Sequence, residues 1–222
     1  MLYVATFRFN NFYENTYLAY DNTRECLLID PGMYTIEERN CMDSFISFQK
    51  LNLRYIALTH AHLDHILGLS YAMHKYKTPL LVHQAEHRNL PLLKNYGSTQ
   101  GYALDDITDN FSFVQEGDII NVGVQSYDVY HTPGHTPNSI SLYNESAGRI
   151  FSGDILFSTT IGNTHLPGGN QQQLIHTIET KMLPLSPQTI FFPGHGPSAT
   201  INYIHQAIQK GYFRGLSLQQ AL

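Results

Sequence analysis

The sequence predicts an α+β protein in which two β-sheets lie face to face and helices cover their outer surfaces. Short apolar segments typical of strands occur in both halves of the chain, and segments with helical periodicity interrupt them in each half. Gly, Pro and Asn turns separate these elements. No linker or internal repeat divides the 222 residues, so we expect a single domain over residues 1–222.

The first half of the chain contains five predicted strands and three predicted helices. The predicted strands are 3–9, 16–20, 26–29, 53–58 and 79–82, and the predicted helices are 35–51, 66–77 and 84–95. A D-P-G turn signal follows the third strand. Thr35 as N-cap, with Glu38 at the capping-box position, predicts where the first helix begins. The third helix is predicted in spite of Pro91.

The second half is richer in short strands. The polar segment 96–110 predicts irregular structure. From residue 111 onward, strands separated by Gly and Asn turns indicate a sheet of hairpins. The predicted strands are 111–114, 118–122, 125–130, 139–143, 149–151 and 189–192. Helices are predicted over 170–183 and 198–210, and a loop rich in Thr, Gly and Pro over 158–169.

Composition excludes several classes of function. The net charge of −5 provides no basic surface for nucleic acid. Cys26 and Cys41 form no disulfide framework or C-x-x-C pair. No segment reaches membrane-spanning length, and the N-terminus lacks the features of a signal peptide. We therefore expect a cytoplasmic protein with a small-molecule substrate and no nucleic-acid or membrane partner; the sequence predicts no oligomeric state.

Histidines are concentrated directly after the strand predicted at 53–58. Residues 59–65 read T-H-A-H-L-D-H, which places His60, His62, Asp64 and His65 within six positions. Taken singly, each is more often an ordinary polar residue. Packing does not require such a density of imidazole and carboxylate groups, whereas a metal ion does.

Further candidate ligands follow other predicted strands. His135 lies in H-T-P-G-H-T, Asp154 follows S-G, and His195 lies in P-G-H-G. Each has Gly or Pro beside it, which permits a sharp turn and a close approach to an ion. We interpret His131 as a hydrogen-bonding neighbour, and Asp30 as a turn former in preference to an acceptor for a histidine N–H.

Five imidazoles and two carboxylates exceed what one tetrahedral zinc ion uses, and they suit two ions. The first ion is predicted to bind His60, His62 and His135, and the second to bind Asp64, His65 and His195, with Asp154 bridging them. Nitrogen and oxygen ligands without thiolate favour two divalent ions, most readily zinc, with iron or manganese as alternatives.

These spaced motifs resemble those of the metallo-β-lactamase superfamily, and all seven ligand positions of that family match. The resemblance implies a four-layer αββα sandwich with the metal site at one edge of the two sheets. Asp154 argues against a true β-lactamase, and His62 argues against flavodiiron-type oxidoreductases. The sequence is most similar to short single-domain glyoxalase II-like (hydroxyacylglutathione hydrolase-like) proteins, in the segments L-I-D-P-G (28–32), F-S-G-D-I-L-F (151–157) and L-P-G-G (166–169).

Two departures from that family concern the substrate. The helical C-terminal extension of the larger glyoxalase II enzymes is absent after the helix predicted at 198–210, as expected for the short type. Residues 161–165 read I-G-N-T-H where relatives read G-R-T-D. Asn163 and His165 thus stand in place of an arginine and an aspartate. They are candidate substrate contacts, and a glutathione carboxylate would lose its cation there.

The resemblance implies a hydrolase of a small acyl thioester such as S-lactoylglutathione or another thiol ester. Two ions would lower the pKa of a shared water and polarise the substrate carbonyl. Asp64 is the candidate catalytic residue, since it would hold one ion and orient the proton of the nucleophile. The alternatives are a mononuclear iron persulfide dioxygenase, a lactonase or a phosphodiesterase. A binding module without activity would need a missing ligand, and none is missing.

Overall fold

The computed structural model describes residues 1–213 and 216, and its strands form two six-stranded sheets. The first sheet contains, in spatial order, β1 (Tyr3–Phe9), β2 (Glu14–Tyr20), β3 (Glu25–Ile29), β4 (Asn52–Ala57), β5 (Leu80–Val82) and β6 (Phe111–Phe113). The second runs β12-β11-β10-β9-β8-β7 and contains β7 (Ile119–Val122), β8 (Gln125–His131), β9 (Ile140–Asn144), β10 (Arg149–Gly153), β11 (Ile190–Pro193) and β12 (Ala199–Thr200).

The helices lie between these strands in sequence. They are α1 (Ile36–Gln49), α2 (Leu63–Ile66), α3 (Leu69–Tyr76), α4 (Gln84–Thr99), α5 (Gln171–Thr177) and α6 (Ile201–Gln209), with a π-helical segment, Ile178–Met182, after α5. The predicted capping box is present: the Thr35 hydroxyl accepts the Glu38 N–H, and the Glu38 carboxylate accepts the Thr35 N–H. Lys50, in the left-handed region at φ 54°, ends α1.

Alternating residues of the central strands separate three apolar layers. Leu18 and Leu28 pack with α1 and α3 on the outer face of the first sheet. Leu27 and Ile29, on the opposite face of β3, pack with Val129 and other residues of the second sheet. A third cluster lies between the second sheet and the helices α5 and α6. The predicted arrangement of two sheets with helices outside is thus confirmed.

Parallel pairing places several strand ends at one edge of the molecule. β3, β4, β5 and β6 are parallel, and so are β10 and β11. β8 has the same direction as β10, since both pair antiparallel with β9. The two sheets are joined at this edge, where the Ile140 N–H donates to the Thr59 carbonyl over 2.8 Å. The segments that follow β4, β8, β10 and β11 carry all seven predicted ligands, two of them on α2.

Some predicted elements were wrong in pairing or extent. β6 was assigned to the hairpin sheet, but it pairs parallel to β5 in the first sheet. β10 and β11, which the predicted helix at 170–183 separates, form a parallel pair. α4 continues to Thr99, through four residues that were predicted to be irregular.

Three predicted helices also differ in detail. The helix predicted at 66–77 begins only at Leu69, as α3, because the chain turns at Gly68, whose N–H donates to the Pro31 carbonyl; α2, which ends at Ile66, was not predicted. The helix predicted at 170–183 ends in the π-helical segment. The one predicted at 198–210 begins with the short strand β12. Most of the short tail expected after α6 lies outside the described residues. Within the described part of the chain, no helix is both long and apolar enough to cross a membrane.

Candidate metal centre

The structure brings the side chains of all seven predicted ligands together. The first group is made of three imidazoles. His62 Nδ1 lies 3.1 Å from His60 Nε2 and 2.9 Å from His135 Nε2, and the two Nε2 atoms are 3.2 Å apart. Three ring nitrogens therefore converge on one point, which is a ligand arrangement for a metal ion.

The hydrogen-bond partners of the other ring nitrogens determine the tautomers. His135 Nδ1 donates to the Asn163 carbonyl over 2.7 Å, since a carbonyl can only accept. His60 Nδ1 lies 3.0 Å from Thr59 Oγ1, whose own proton goes to Asp30. In the neutral rings both Nε2 atoms are consequently unprotonated. Their lone pairs face each other, and a cation between them removes that repulsion.

The second group combines carboxylate and imidazole. Asp64 Oδ2 lies 3.0 Å from His195 Nε2 and 3.6 Å from His65 Nε2. Asp64 and His65 are on α2, the four-residue helix that begins directly after His62. Because His62 makes no side-chain cap with that helix, its ring is left to the first group. Residues 60–65 therefore contribute two ligands to each group.

Asp154 lies between the two groups. Its Oδ1 is 3.6 Å from His65 Nε2, and its Oδ2 is 3.6 Å from both His135 Nε2 and His195 Nε2. Gly194 allows this approach, because a Cβ there would lie 2.1 Å from Asp154 Oδ1. The carboxylate thus faces both groups, as a bridging ligand requires.

Among the described residues, two buried polar atoms of the predicted ligands have no hydrogen-bond partner: His65 Nε2 and Asp154 Oδ1. Polar atoms buried in this way cost free energy unless a partner satisfies them. Both point into the space that a cation would occupy, and the donor set is nitrogen and oxygen throughout. The residues present therefore fit divalent metal ions.

The first group is electrostatically prepared to bind as neutral imidazole. Burial and the neighbouring histidines lower the pKa of His60 well below its ordinary value. Burial and the proximity of His135 lower the pKa of His62 to about 4. Burial also lowers the pKa of His135, in spite of Asp154. At neutral pH these rings carry no proton that an ion would have to displace.

The second group has the opposite character. Burial alone would lower the pKa of His65, but Asp64, Asp154 and Asp30 raise it well above its ordinary value. Likewise, burial lowers the pKa of His195, but the hydrogen bond that its ring donates to Asp64, together with the charge of Asp154, raises it overall. Burial raises the pKa of Asp64, but the imidazoles of His65 and His195 hold it well below its usual range. Without an ion, protons on the histidines balance the carboxylates here.

Asp30 forms hydrogen bonds that orient ligands of both groups. Our preference for Asp30 as a turn former is therefore corrected, since it has both roles. Its backbone does occupy the left-handed region, at φ 50°. Its side chain, however, accepts from the Thr59 N–H over 2.7 Å and from the Thr59 hydroxyl over 2.6 Å. Oδ2 also lies 3.1 Å from His65 Nδ1. Asp30 thus orients His65 directly and His60 through Thr59.

Two buried glutamates at the centre were missed. Glu14 is fully buried, and its Oε1 lies 4.0 Å from His65 Nδ1 and has no hydrogen-bond partner in the part of the chain that the structure describes. Burial raises the pKa of Glu14 well above its ordinary value. Glu86 accepts hydrogen bonds from two ligand-bearing loops. A lone glutamate in a strand or helix pattern is typical of a solvated face, so the sequence contains no signal for either.

The candidate substrate contacts lie beside the first group. The Asn163 carbonyl holds His135, and the Asn163 side chain accepts the His165 N–H over 2.9 Å. Both side chains are exposed. His131 is the last residue of β8, and its Nε2 lies 3.1 Å from the Pro137 carbonyl oxygen, away from the ligand set.

Comparison with known sequences identifies relatives over most of the chain. Residues 10–195 match the family profile described as the Metallo-beta-lactamase superfamily. The chain is 34% identical over 195 residues to "Probable metallo-hydrolase YqgX" of Bacillus subtilis, with 87% of this chain and 90% of that protein covered. It is 32% identical over 203 residues to "Hydroxyacylglutathione hydrolase GloC" of Haemophilus influenzae, with 86% and 89% covered.

Solved structures with the same fold include close matches. The BLEG-1 B3 metallo-beta-lactamase superposes with a TM-score of 0.82 at 30% identity, covering 92% of this chain and 97% of that one. TTHA1623 in a di-iron-bound form superposes with a TM-score of 0.79 at 26% identity, with the same coverage. ETHE1 from Myxococcus xanthus superposes with a TM-score of 0.71 at 25% identity, covering 90% and 80%.

Proposed function

This chain belongs to the metallo-beta-lactamase superfamily, and we propose that it is a two-metal hydrolase of small acyl thioesters. The observation that carries the proposal is Asp154, a buried carboxylate aimed at two complete ligand groups at once. The similarity to a hydroxyacylglutathione hydrolase over 86% of the chain supports the thioester class.

Two ions would be held in the manner that the two ligand groups suggest. The first would bind His60, His62 and His135, the second Asp64, His65 and His195, and Asp154 would bridge them. When bound, such a pair lowers the pKa of a shared water and polarises the carbonyl of the substrate. Zinc suits the donor set, and the di-iron form of TTHA1623 supports iron as the alternative.

Asp64 is the proposed catalytic residue of the chain. Its low pKa keeps the carboxylate ionised at neutral pH, so it acts as a hydrogen-bond acceptor. Oδ2 faces the ring of His195, which is itself partly exposed. The carboxylate can therefore accept a hydrogen bond from the attacking water and orient its proton at the open side of the centre.

The loop of Asn163 and His165 is the proposed contact for the thiol carrier. The ion pairs of the seven ligands connect them only to one another, Asp30 and Glu14; among the described residues, no lysine or arginine takes part. Because no cation stands at Asn163, a carboxylate on the thiol carrier adds little binding energy there. We therefore propose that the enzyme accepts thioesters of uncharged carriers as readily as those of glutathione.

A second candidate is the hydrolysis of β-lactams, which the 30% identity to the BLEG-1 B3 metallo-beta-lactamase favours. Both reactions use attack of an activated water on a carbonyl, so the centre alone serves either. The bridging aspartate is our reason to prefer thioesters. A substrate panel distinguishes the two.

The deciding experiment combines metal quantification with that panel. The purified protein should contain two equivalents of zinc or iron and should hydrolyse thioesters in preference to a lactone, a phosphodiester and a β-lactam. The same acyl group on glutathione and on an uncharged thiol should give similar kcat/KM values. A single iron with oxygen uptake on a persulfide would contradict the proposal, as would turnover of β-lactams alone.

A further inference from the structure

Glu86 is a buried carboxylate on α4 that contacts two loops from different sheets. Glu86 is only 2% exposed to solvent. Oε2 accepts the backbone N–H of Ala61 over 2.9 Å, in the loop after β4. Oε1 accepts the hydroxyl of Thr136 over 2.7 Å, in the loop after β8. One side chain therefore connects the two sheets beneath the metal centre.

Both partners of Glu86 are adjacent in sequence to the first ligand group. Ala61 separates His60 from His62, and Thr136 follows His135. These loops have no secondary structure of their own at the ligands. Loops are the most mobile part of a fold unless specific contacts hold them. The spacing of the three ring nitrogens thus depends on what ties the two loops together.

We propose that Glu86 is a positioning residue that holds the first group at the spacing a metal ion requires. The inference rests on the proposed two-metal centre and adds a determinant of its affinity. Burying a carboxylate is costly unless strong donors compensate it, and here both donors belong to ligand-bearing loops. Partners that orient metal ligands typically contribute about 10–100-fold to metal affinity.

The alternative is that Glu86 merely stabilises the fold, and Asp21 provides a matched control for it. Asp21 is also 2% exposed. It accepts from the Val124 N–H over 2.8 Å and from Gln125 Nε2 over 3.3 Å, which ties the end of β2 to the turn between β7 and β8. It contacts no predicted ligand in the described part of the chain. Its removal should lower stability without reorganising the centre.

The test measures stepwise zinc affinity by competition with a chromophoric chelator in wild type, E86A, E86Q and D21A. E86A should lose about 10–100-fold at one of two positions, and D21A should lose none. E86Q should stay within about threefold of wild type. In E86Q the amide oxygen of the new side chain can still accept the Ala61 N–H, and its NH₂ can donate to Thr136 Oγ1. The Thr136 hydroxyl can then donate its own proton to Ser139 Oγ, which lies 2.7 Å away.

A variant that lacks the first metal position shows whether Glu86 acts on that position. H62A removes a ligand of the first group, so adding E86A should not weaken the remaining ion further. Wild-type affinity in E86A would overturn the inference, as would an equal loss in D21A or a loss in E86Q as large as in E86A.

A metal-independent measurement separates this inference from the proposed function. In the metal-free protein, E86A should accelerate hydrogen exchange of the Ala61 amide, and D21A should not. An unchanged Ala61 exchange rate overturns the role of Glu86. Failure of the wild-type protein to bind any metal would contradict the proposed function, while the exchange experiment still decides the role of Glu86.

Discussion

The two ligand groups lie side by side and share Asp154, yet their electrostatics are opposite. In the first group, burial lowers the pKa of three imidazoles, that of His62 to about 4. In the second, carboxylates raise the pKa values of His65 and His195 despite burial. The first group is thus a neutral nitrogen site, and the second is a charged site in which protons occupy the place of a cation.

The difference follows from where the carboxylates lie. Of the five imidazoles in the described centre, the side chains of Asp64 and Asp30 contact only those of the second group. Asp30 reaches His60 through Thr59. An ion entering the first group displaces no proton, whereas an ion entering the second exchanges with protons. Two ions of the same element should therefore bind with different pH dependence.

The largest expected effect comes from removing the residue that the groups share. D154A should deplete both ions and reduce hydrolysis by about a thousandfold, the equivalent of several kcal/mol of transition-state stabilisation. Metal content and kcat measured on the same sample check this. If D154A retained two ions and wild-type activity, the groups would be independent sites and the carboxylate would not bridge them.

A smaller effect is expected from D30N, and it should be larger at the second position, which Asp30 contacts directly, than at the first, which it reaches through Thr59. Asn can keep its Oδ1 on the Thr59 N–H, which turns its NH₂ toward His65 Nδ1. His65 would then carry its proton on Nε2, the atom that faces the second ion, so the affinity of that position should fall by about 10–100-fold. Imidazole ¹⁵N shifts report the tautomer, and chelator competition reports the affinity.

The control for D30N is D43N, since Asp43 also accepts two side-chain donors, the hydroxyls of the partly buried Tyr71 and Tyr76, but lies outside the centre. D43N should leave both metal affinities unchanged. Equal loss at both positions in D30N would show that Asp30 acts on the whole centre and not mainly through His65.

The smallest expected effect is the response to pH. His62 has a pKa of about 4, so lowering the pH from about 7.5 to about 5.5 should barely affect the first position. His195 has a raised pKa, so a bound proton competes with the ion there and the second position should weaken as the pH falls through that range. Calorimetry in buffers of different ionisation enthalpy counts these protons. Parallel weakening of both positions would contradict the difference between the groups.

The ligand set could be predicted from the sequence because each ligand carries its own local signal. His60, His62, Asp64 and His65 are dense in one segment, and His135 and His195 each directly follow a glycine after a predicted strand. The strands and the capping box of α1 were likewise predictable, since periodicity and capping depend on neighbours in sequence.

Residues that act only through distant partners could not be predicted. Asp30 resembled a turn residue, and it is one, but its acceptor role requires β3 and β4 to pair in parallel so that Thr59 and His65 reach it. Glu86 resembled a solvated helical residue until α4 packed beneath two loops. β6 was assigned to the wrong sheet for the same reason, since a three-residue strand carries too little pattern to specify its partner.

By itself, then, the sequence determined which donor residues the protein offers and which strands they follow. Only the tertiary structure decided which ring nitrogen of each histidine is free, which imidazoles are neutral, and which carboxylates hold them. The physical reason is that ligand identity and turn chemistry are local, whereas tautomers and pKa values depend on burial and on charges brought close by folding.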